Sequence, residues 1–575
     1  MQNPIKLTAA ATTSIPRSVM LLITLIYAFS GLFGHDPWKN DDAVGFGVMW
    51  TLAHGSINDW ILPHLQGRGV LVGPPLPYWL GATSIKILGG QIGEINAARL
   101  VSAICFVISS ISIWYATYLL ARRTEVQPMQ FALGGQPSAK EYGKTLADGA
   151  LLIFLACVGL AQRVHEASPL LVELLGVTLL IYGIVRSYDK PWQGGVISGL
   201  GMVAIGLSGM LWTAVFLWVA AFIGFYTRKN MRLTGWIVGS LLITTVGLSS
   251  WPILWHLMSL PPEQISNAWF IWLGRDQLQA TISFGSLEFL SVNFWAYTWP
   301  VWPLSFWSLY LWSTRGKSGV NAAHLVIPGL LFVAEILLFL LYKDLSERDL
   351  MLLSPPMAIL AAFGLPFLRR GLISFIDWLS LLTFTLAGGF IWVVWFAKMT
   401  GYPKSTADNI ARYLPGFVAR FNFLDLFFAL IITGVWFAIV RWRTSRAPKV
   451  IWRCLIISTS GTILLWVLLM NLWLPTINYA KTYQPVAIRF AKALPEDAKC
   501  IDSSFLGDAQ LASFHYFTSL NLRDDESCNY KLTHNSEEAL SSEILNLYKL
   551  DLVWEDRRDS DRDERLRLYR VSKNQ

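Results

Sequence analysis

Three aspartates, Asp36, Asp41 and Asp42, follow the first apolar run of the chain and open a polar stretch that extends to Trp79. A carboxylate at the water-facing lip of a bilayer stays ionised and still reaches a lipid headgroup, so these acids are candidate binding or reactive groups. Their plainer reading is as helix-capping aspartates of a solvated loop. His165 and Glu166 close the third apolar run, where a polar helix end is the plain alternative. Glu173 and Glu335 fall inside apolar runs, and ionisable groups at membrane depth usually face a bundle interior or a cavity.

The elements that must position these groups are membrane helices. Of 575 residues, 54% are hydrophobic, only 15% are charged and 27 are Trp, more apolar sequence than a soluble core buries. Lys6 and Arg17 precede the apolar run 19–33, which lacks a small-residue cleavage site and reads as an uncleaved first span. Further spans are expected near 98–121, 146–164, 168–185, 193–208, 211–226, 233–255, 288–312, 323–342, 350–368, 375–397, 423–440 and 450–473, about thirteen in all. The pair flanking Ser208-Gly209-Met210 also reads as one kinked helix. Each even-numbered span is followed by basic residues: Arg122, Arg123, Lys140 and Lys144; Arg186 and Lys190; Arg228, Lys229 and Arg232; Arg315 and Lys317; Arg369 and Arg370; Arg441, Arg443, Arg446 and Lys449. The positive-inside rule then puts the N-terminus in the cytoplasm and the C-terminal tail outside, in the inner membrane of a cell. The net charge of +8 follows from this topology and is no nucleic-acid footprint.

The outer face so defined carries the loop 35–95, the turn Arg163–Pro169, the loop 256–287 with Glu263, Arg275 and Asp276, and the charged turn Lys343–Asp349. Residues 1–475 read as the membrane domain. Residues 476–575 are polar, with helical patterning near 483–494 and 537–548 and strand-like runs at Cys500–Phe505, Leu550–Trp554 and Leu566–Val571. They read as a small external α/β domain, with Glu555–Arg565 as a solvated turn. Cys500 and Cys528 can form one disulfide there, while Cys105, Cys157 and Cys454 read as buried thiols, and no zinc spacing occurs. The run Trp295–Trp307 reads as an interfacial belt.

Asp41-Asp42, then Asn58-Asp59-Trp60-Ile61-Leu62-Pro63-His64-Leu65-Gln66-Gly67, then Pro74-Pro75-Leu76-Pro77-Tyr78-Trp79 resemble the first outer loop of the GT-C glycosyltransferases. The branch in question contains the protein O-mannosyltransferases and the bacterial lipid A aminoarabinose transferase. That pattern has an Asp-Glu pair, a Gly-Asp-Trp-x-x-Pro stretch and a Lys-Pro-Pro-Leu-x-Tyr-Trp stretch. This chain departs from it at Gly73, where the lysine is expected, at Val44, where an arginine commonly follows the acids, and at Ser208-Gly209, where many members carry Lys-Gly.

The resemblance implies an α-helical polytopic GT-C-like enzyme that transfers a sugar, with inversion and without an obligatory metal or cofactor. The donor is polyprenyl-phosphate-linked; the acceptor is a lipid, glycan or protein, and membrane lipid is the remaining partner. A non-catalytic relative that binds or moves a lipid-linked sugar is the rival reading. Displacement at the sugar carbon needs cations for the departing phosphate and a carboxylate base for the acceptor hydroxyl. Asp41 is the expected base, with Asp42 and Glu166 as the other acidic members of the site. Lys343 and Arg348, then Arg275 and Arg68, are the expected phosphate clamp, and Asp36, His165 and Tyr78 complete the substrate-binding set.

Overall fold

The computed structural model describes residues 6–69, 71–227, 233–274, 278–279, 281–315, 322–445, 450–518, 520–525, 527–534, 548–561 and 563–573. Arg275 and the residues Arg228, Lys229, Arg232, Lys317, Arg446 and Lys449, expected in cytoplasmic loops, lie outside the described residues. So does the helix expected near 537–548, except for Tyr548, which opens a strand.

Among the described residues, seven helices are long and apolar enough to cross a membrane: Ala9–Phe29, Glu94–Ala121, Leu170–Ser187, Leu233–Leu257, Arg370–Thr400, Phe423–Ser445 and Arg453–Ala493. Shorter apolar helices run over Leu211–Tyr226, Ala323–Phe339 and Asp349–Ala362. Helices suit this composition because each satisfies its own backbone polar groups, which lipid cannot do. The Ser208–Met210 boundary is a break between two helices: Gly209 adopts φ +116°, a conformation that favours glycine. The expected span 288–312 divides into Phe284–Tyr297 and Val301–Arg315. The last long helix does not stop at Pro475. A π-turn over Leu469–Trp473 precedes Leu474–Lys481, where Pro475 sits in the first turn and needs no amide donor.

The stretch expected as the first outer loop is built on the helices Asp41–His54, Ile57–Ile61 and Leu76–Ile92. Beneath it, Trp251, Trp255 and Trp272 pack edge to face around Ile61 and Leu71. The Trp251 indole donates to Ile61 O at 2.7 Å, which ties the loop to the membrane bundle.

The C-terminal segment forms a five-stranded sheet in the order β2-β1-β3-β5-β4, with β1 Ile501–Phe505, β2 Leu522–Arg523, β3 Tyr530–His534, β4 Tyr548–Asp556 and β5 Leu566–Lys573. β1 is parallel to β2 and β3, and the remaining pairs are antiparallel. Helices Gln484–Ala493 and Asp508–Thr518 cover it, and Cys500 and Cys528 are disulfide-bonded. Ala43 of the outer-loop helix belongs to the same apolar core as Val486, Phe490, Leu511 and Leu532. The run Glu555–Arg565 is mostly exposed or half-buried, as a solvated turn would be, but it is anchored by two buried residues. Arg558 and Glu564 are buried and paired, Arg558 donates to Ala480 O at 2.8 Å, and Tyr483 Oη donates to Glu564 at 2.8 Å. Charges that neutralise one another in this way can leave water.

Candidate functional site

The helix Asp41–His54 is pressed from two sides. A Cβ at Gly45 would lie 1.9 Å from Ala167 O, and one at Gly47 would lie 2.5 Å from the Ala512 Cβ. Only glycine permits both approaches, so the helix start is held between the Arg163–Pro169 turn and the C-terminal domain.

That start carries the two acids, which face different surroundings. Asp42 is 1% exposed and meets Arg99, itself 0% exposed, at 2.6 Å. It also accepts the amides of Trp38 at 2.9 Å and Ala167 at 2.7 Å. Burial pushes its carboxyl up, but Arg99 more than offsets this and holds it below its ordinary value. Arg99 completes its donors on His35 O at 2.8 Å and Asp36 O at 2.7 Å. Asp42 therefore does not stand free to react, contrary to its expected place among the reacting acids. It fixes the loop and, through Ala167, the neighbouring Glu166.

Asp41 is only partly covered. Its Oδ2 lies 3.8 Å from Arg163 Nη1 and its Oδ1 lies 3.6 Å from Arg348 Nη1. Arg163 is shared further with Glu166 at 3.1 Å and Glu347 at 3.5 Å. Arg348 also faces Asp349, Glu173 and the Tyr78 hydroxyl electrostatically. The Tyr78 hydroxyl is buried and lies 3.9 Å from where a Gly73 Cβ would stand, with no other atom that near. Expected residues Asp41, Glu166, Arg348 and Tyr78 are thus brought together, joined by Arg163, Glu173, Glu347 and Asp349.

Glu166 is buried, and burial raises its carboxyl from 4.5 to about 7, with Arg163 opposing the rise and Asp42 and Asp41 adding to it. A raised acid pKa stabilises the fold fully below the unfolded value of 4.5, and that contribution is lost as pH rises through about 7. Replacing Glu166 with Gln should flatten the decline of thermal stability across that window. An unchanged melting-temperature profile from acid to neutral pH would count against it.

The other expected residues serve elsewhere. His165 lies in the core, with its ring nitrogens 2.7 Å from Ala161 O and 2.8 Å from Tyr27 O and its ring stacked on Trp466, so it is closed to substrate. Asp36 exchanges hydrogen bonds with Asn478 at 3.0 Å and joins the loop to the final helix. Arg68 turns to the C-terminal domain, meeting Asp508 at 2.7 Å, Asp524 at 3.6 Å and Leu506 O. Lys343 is exposed and takes no part in the ion pairs around Asp41. Glu335, an ionisable group inside an apolar run, is 0% exposed. Sequence reasoning missed Arg99 and Arg163. The available signal for Arg99 was an arginine at the outer end of a long apolar helix, a position that calls for an acidic partner.

The chain superposes on ArnT from Cupriavidus metallidurans bound to undecaprenyl phosphate with a TM-score of 0.64, at 14% identity over 96% of this chain and 97% of that one. The fold is that of ArnT. The apo state of ArnT gives a TM-score of 0.62 at 13% identity, with the same coverage of both chains. No family model and no curated protein sequence matches the chain. The near-complete coverage extends the ArnT-like fold from the loop after the first helix through the C-terminal sheet.

Proposed function

We propose that this protein is a GT-C glycosyltransferase that moves a sugar from a polyprenyl-phosphate donor to a hydroxyl of a lipid, glycan or protein acceptor, with inversion. The observation that carries the reading is Asp41: a partly exposed carboxylate between Arg163 and Arg348, at the outer-loop end of an ArnT-like bundle. In this reading residues 1–475 form the membrane domain of an inner-membrane protein, with a cytoplasmic N-terminus and residues 476–575 outside. Asp41 takes the acceptor proton, and Arg348 meets the phosphate as its charge develops. The undecaprenyl phosphate bound by ArnT supports a polyprenyl-phosphate donor. The test incubates purified protein with radiolabelled polyprenyl-phosphate sugars and follows label into acceptor; donor binding without transfer would sink it.

One observation favours the rival reading of a non-catalytic binder of lipid-linked sugar. Gly73 and Ser208, both lysine positions in the resembling family, lie on adjoining backbone: Leu76 N donates to Leu207 O at 3.1 Å, and a Gly209 Cβ would lie 3.8 Å from Pro74. On the glycosyltransferase reading Arg348 is the replacement cation, because it faces Asp41 and Tyr78 and Lys343 takes no part there. Losing one charge-assisted contact costs about 1.5–3 kcal/mol, so Arg348→Ala should weaken donor use about ten- to a hundredfold. Lys343→Ala should leave kinetics near wild type. Gly73→Lys, which enters open space beside Tyr78, should restore part of the Arg348→Ala loss. A full-rate Arg348→Ala enzyme would remove Arg348 from the clamp.

A further inference from the structure

Lys481 ends the helix Leu474–Lys481, where the last membrane helix passes into the outer domain. Its ammonium lies 4.7 Å from the centre of the Trp38 ring. Trp38 is locked in place by stacking on His35 at 4.0 Å and by donating from its indole to Asn478 at 3.1 Å. Lys481 is itself held to the loop, since Lys39 N donates to Lys481 O at 3.2 Å. The charged groups around its ammonium are Glu166, Arg163, Asp42 and Lys39.

Among the described residues, the other cations around these acids are spoken for. Arg163 is shared by three carboxylates, Arg99 is saturated, Arg348 meets Asp41, and Lys39 lies 3.6 Å from Asp561. Lys481 is half-buried, and among the described residues its ammonium makes no ion pair and no hydrogen bond. A ring face attracts a cation but supplies no countercharge. An ammonium partly withdrawn from water gains strongly from an oxyanion. Arg348 serves the end of the cluster with Tyr78, Glu173 and Asp349, whereas the groups around Lys481 are none of these.

We propose that Lys481 binds a phosphate-class oxyanion of a substrate at the outer-domain end of the site. This rests on the glycosyltransferase reading only for the word substrate, because the test reads binding. The anion has two chemical sources, the phosphate of a polyprenyl donor or a phosphate on the acceptor. Full-length protein in nanodiscs is titrated with undecaprenyl phosphate and, separately, with bisphosphorylated lipid A. Wild type is compared with Lys481→Gln, which keeps most of the stem without the charge, and with Lys481→Arg.

Lys481→Gln should weaken binding of one probe about ten- to a hundredfold, while Lys481→Arg stays within about threefold of wild type. A loss confined to undecaprenyl phosphate assigns the donor, and one confined to lipid A assigns the acceptor. Unchanged affinity of Lys481→Gln for both probes overturns the inference. So does an equal loss in Lys481→Arg, which would make Lys481 a packing residue, and so does a wild type that binds neither probe. Intact Lys481-dependent binding in a protein without turnover would sink the glycosyltransferase reading alone.

Discussion

Asp41→Asn should lower sugar transfer about a hundred- to ten-thousandfold while leaving folded yield and undecaprenyl phosphate binding close to wild type. The range is that of a lost general base. The side chain keeps its size, so the helix start between Ala167 and Ala512 is undisturbed. The contacts given up are partly exposed ion pairs at 3.6 and 3.8 Å, which contribute about 1 kcal/mol or less to stability. Transfer kinetics and a binding isotherm on the same preparation check both halves. Turnover at the wild-type rate would remove Asp41 from the chemistry, and loss of donor binding would make it a binding group.

The largest effect on stability is expected one residue away. Arg99→Met strips the fully buried Asp42 carboxylate of its only cation at hydrogen-bonding distance among the described residues and frees the carbonyls of His35 and Asp36. Breaking a buried pair from one side costs about 3–5 kcal/mol, because the remaining charge stays desolvated. The double variant Arg99→Met with Asp42→Leu should recover part of that loss. Recovery stays partial, because the amides of Trp38 and Ala167 then lose their acceptor. Melting temperatures of detergent-purified variants decide it, and an Arg99→Met protein as stable as wild type would refute the hub. Activity should fall in both variants, since Asp41 and Glu166 flank the groups that the hub holds.

Much of the outer loop was legible in the amino-acid order because its motifs are local. Proline and glycine punctuate 58–67 and 74–79, and adjacent acids cannot both face one cavity, so a division of labour between Asp41 and Asp42 was foreseeable. What resisted reading was long-range pairing. Arg99 and Asp42 meet from separate helices, and nothing in the flanking residues of either names the other. Lys343 and Arg348 share one charged turn, and only its path shows that Arg348 turns inward. Arg68 directly follows the recognisable stretch Asn58–Gly67 yet points at Asp508 and Asp524, carboxylates that a fold must first bring near. The strands β1, β4 and β5 were visible through apolar alternation. β2, at two residues, carries no period, and Asp508–Thr518 crowds aromatic residues where helix formers were sought.

The shared core of Ala43 with Val486, Phe490 and Leu511 has a consequence for the order in which the molecule is made. The helix bearing Asp41 leaves the ribosome among the first segments, and the residues that pack its outer side are among the last. Until they emerge, the helix is held by Phe46, Val48, Met49 and Leu52 against Tyr78, Ala82 and Ile85, and its Gly47 side is uncovered. A chain cut short before Val486 thus keeps the ion pairs of Asp41 and Asp42 but lacks the packing on one side of the helix that carries them. The packing on that side of the helix therefore forms only after the segment 486–532 has been made.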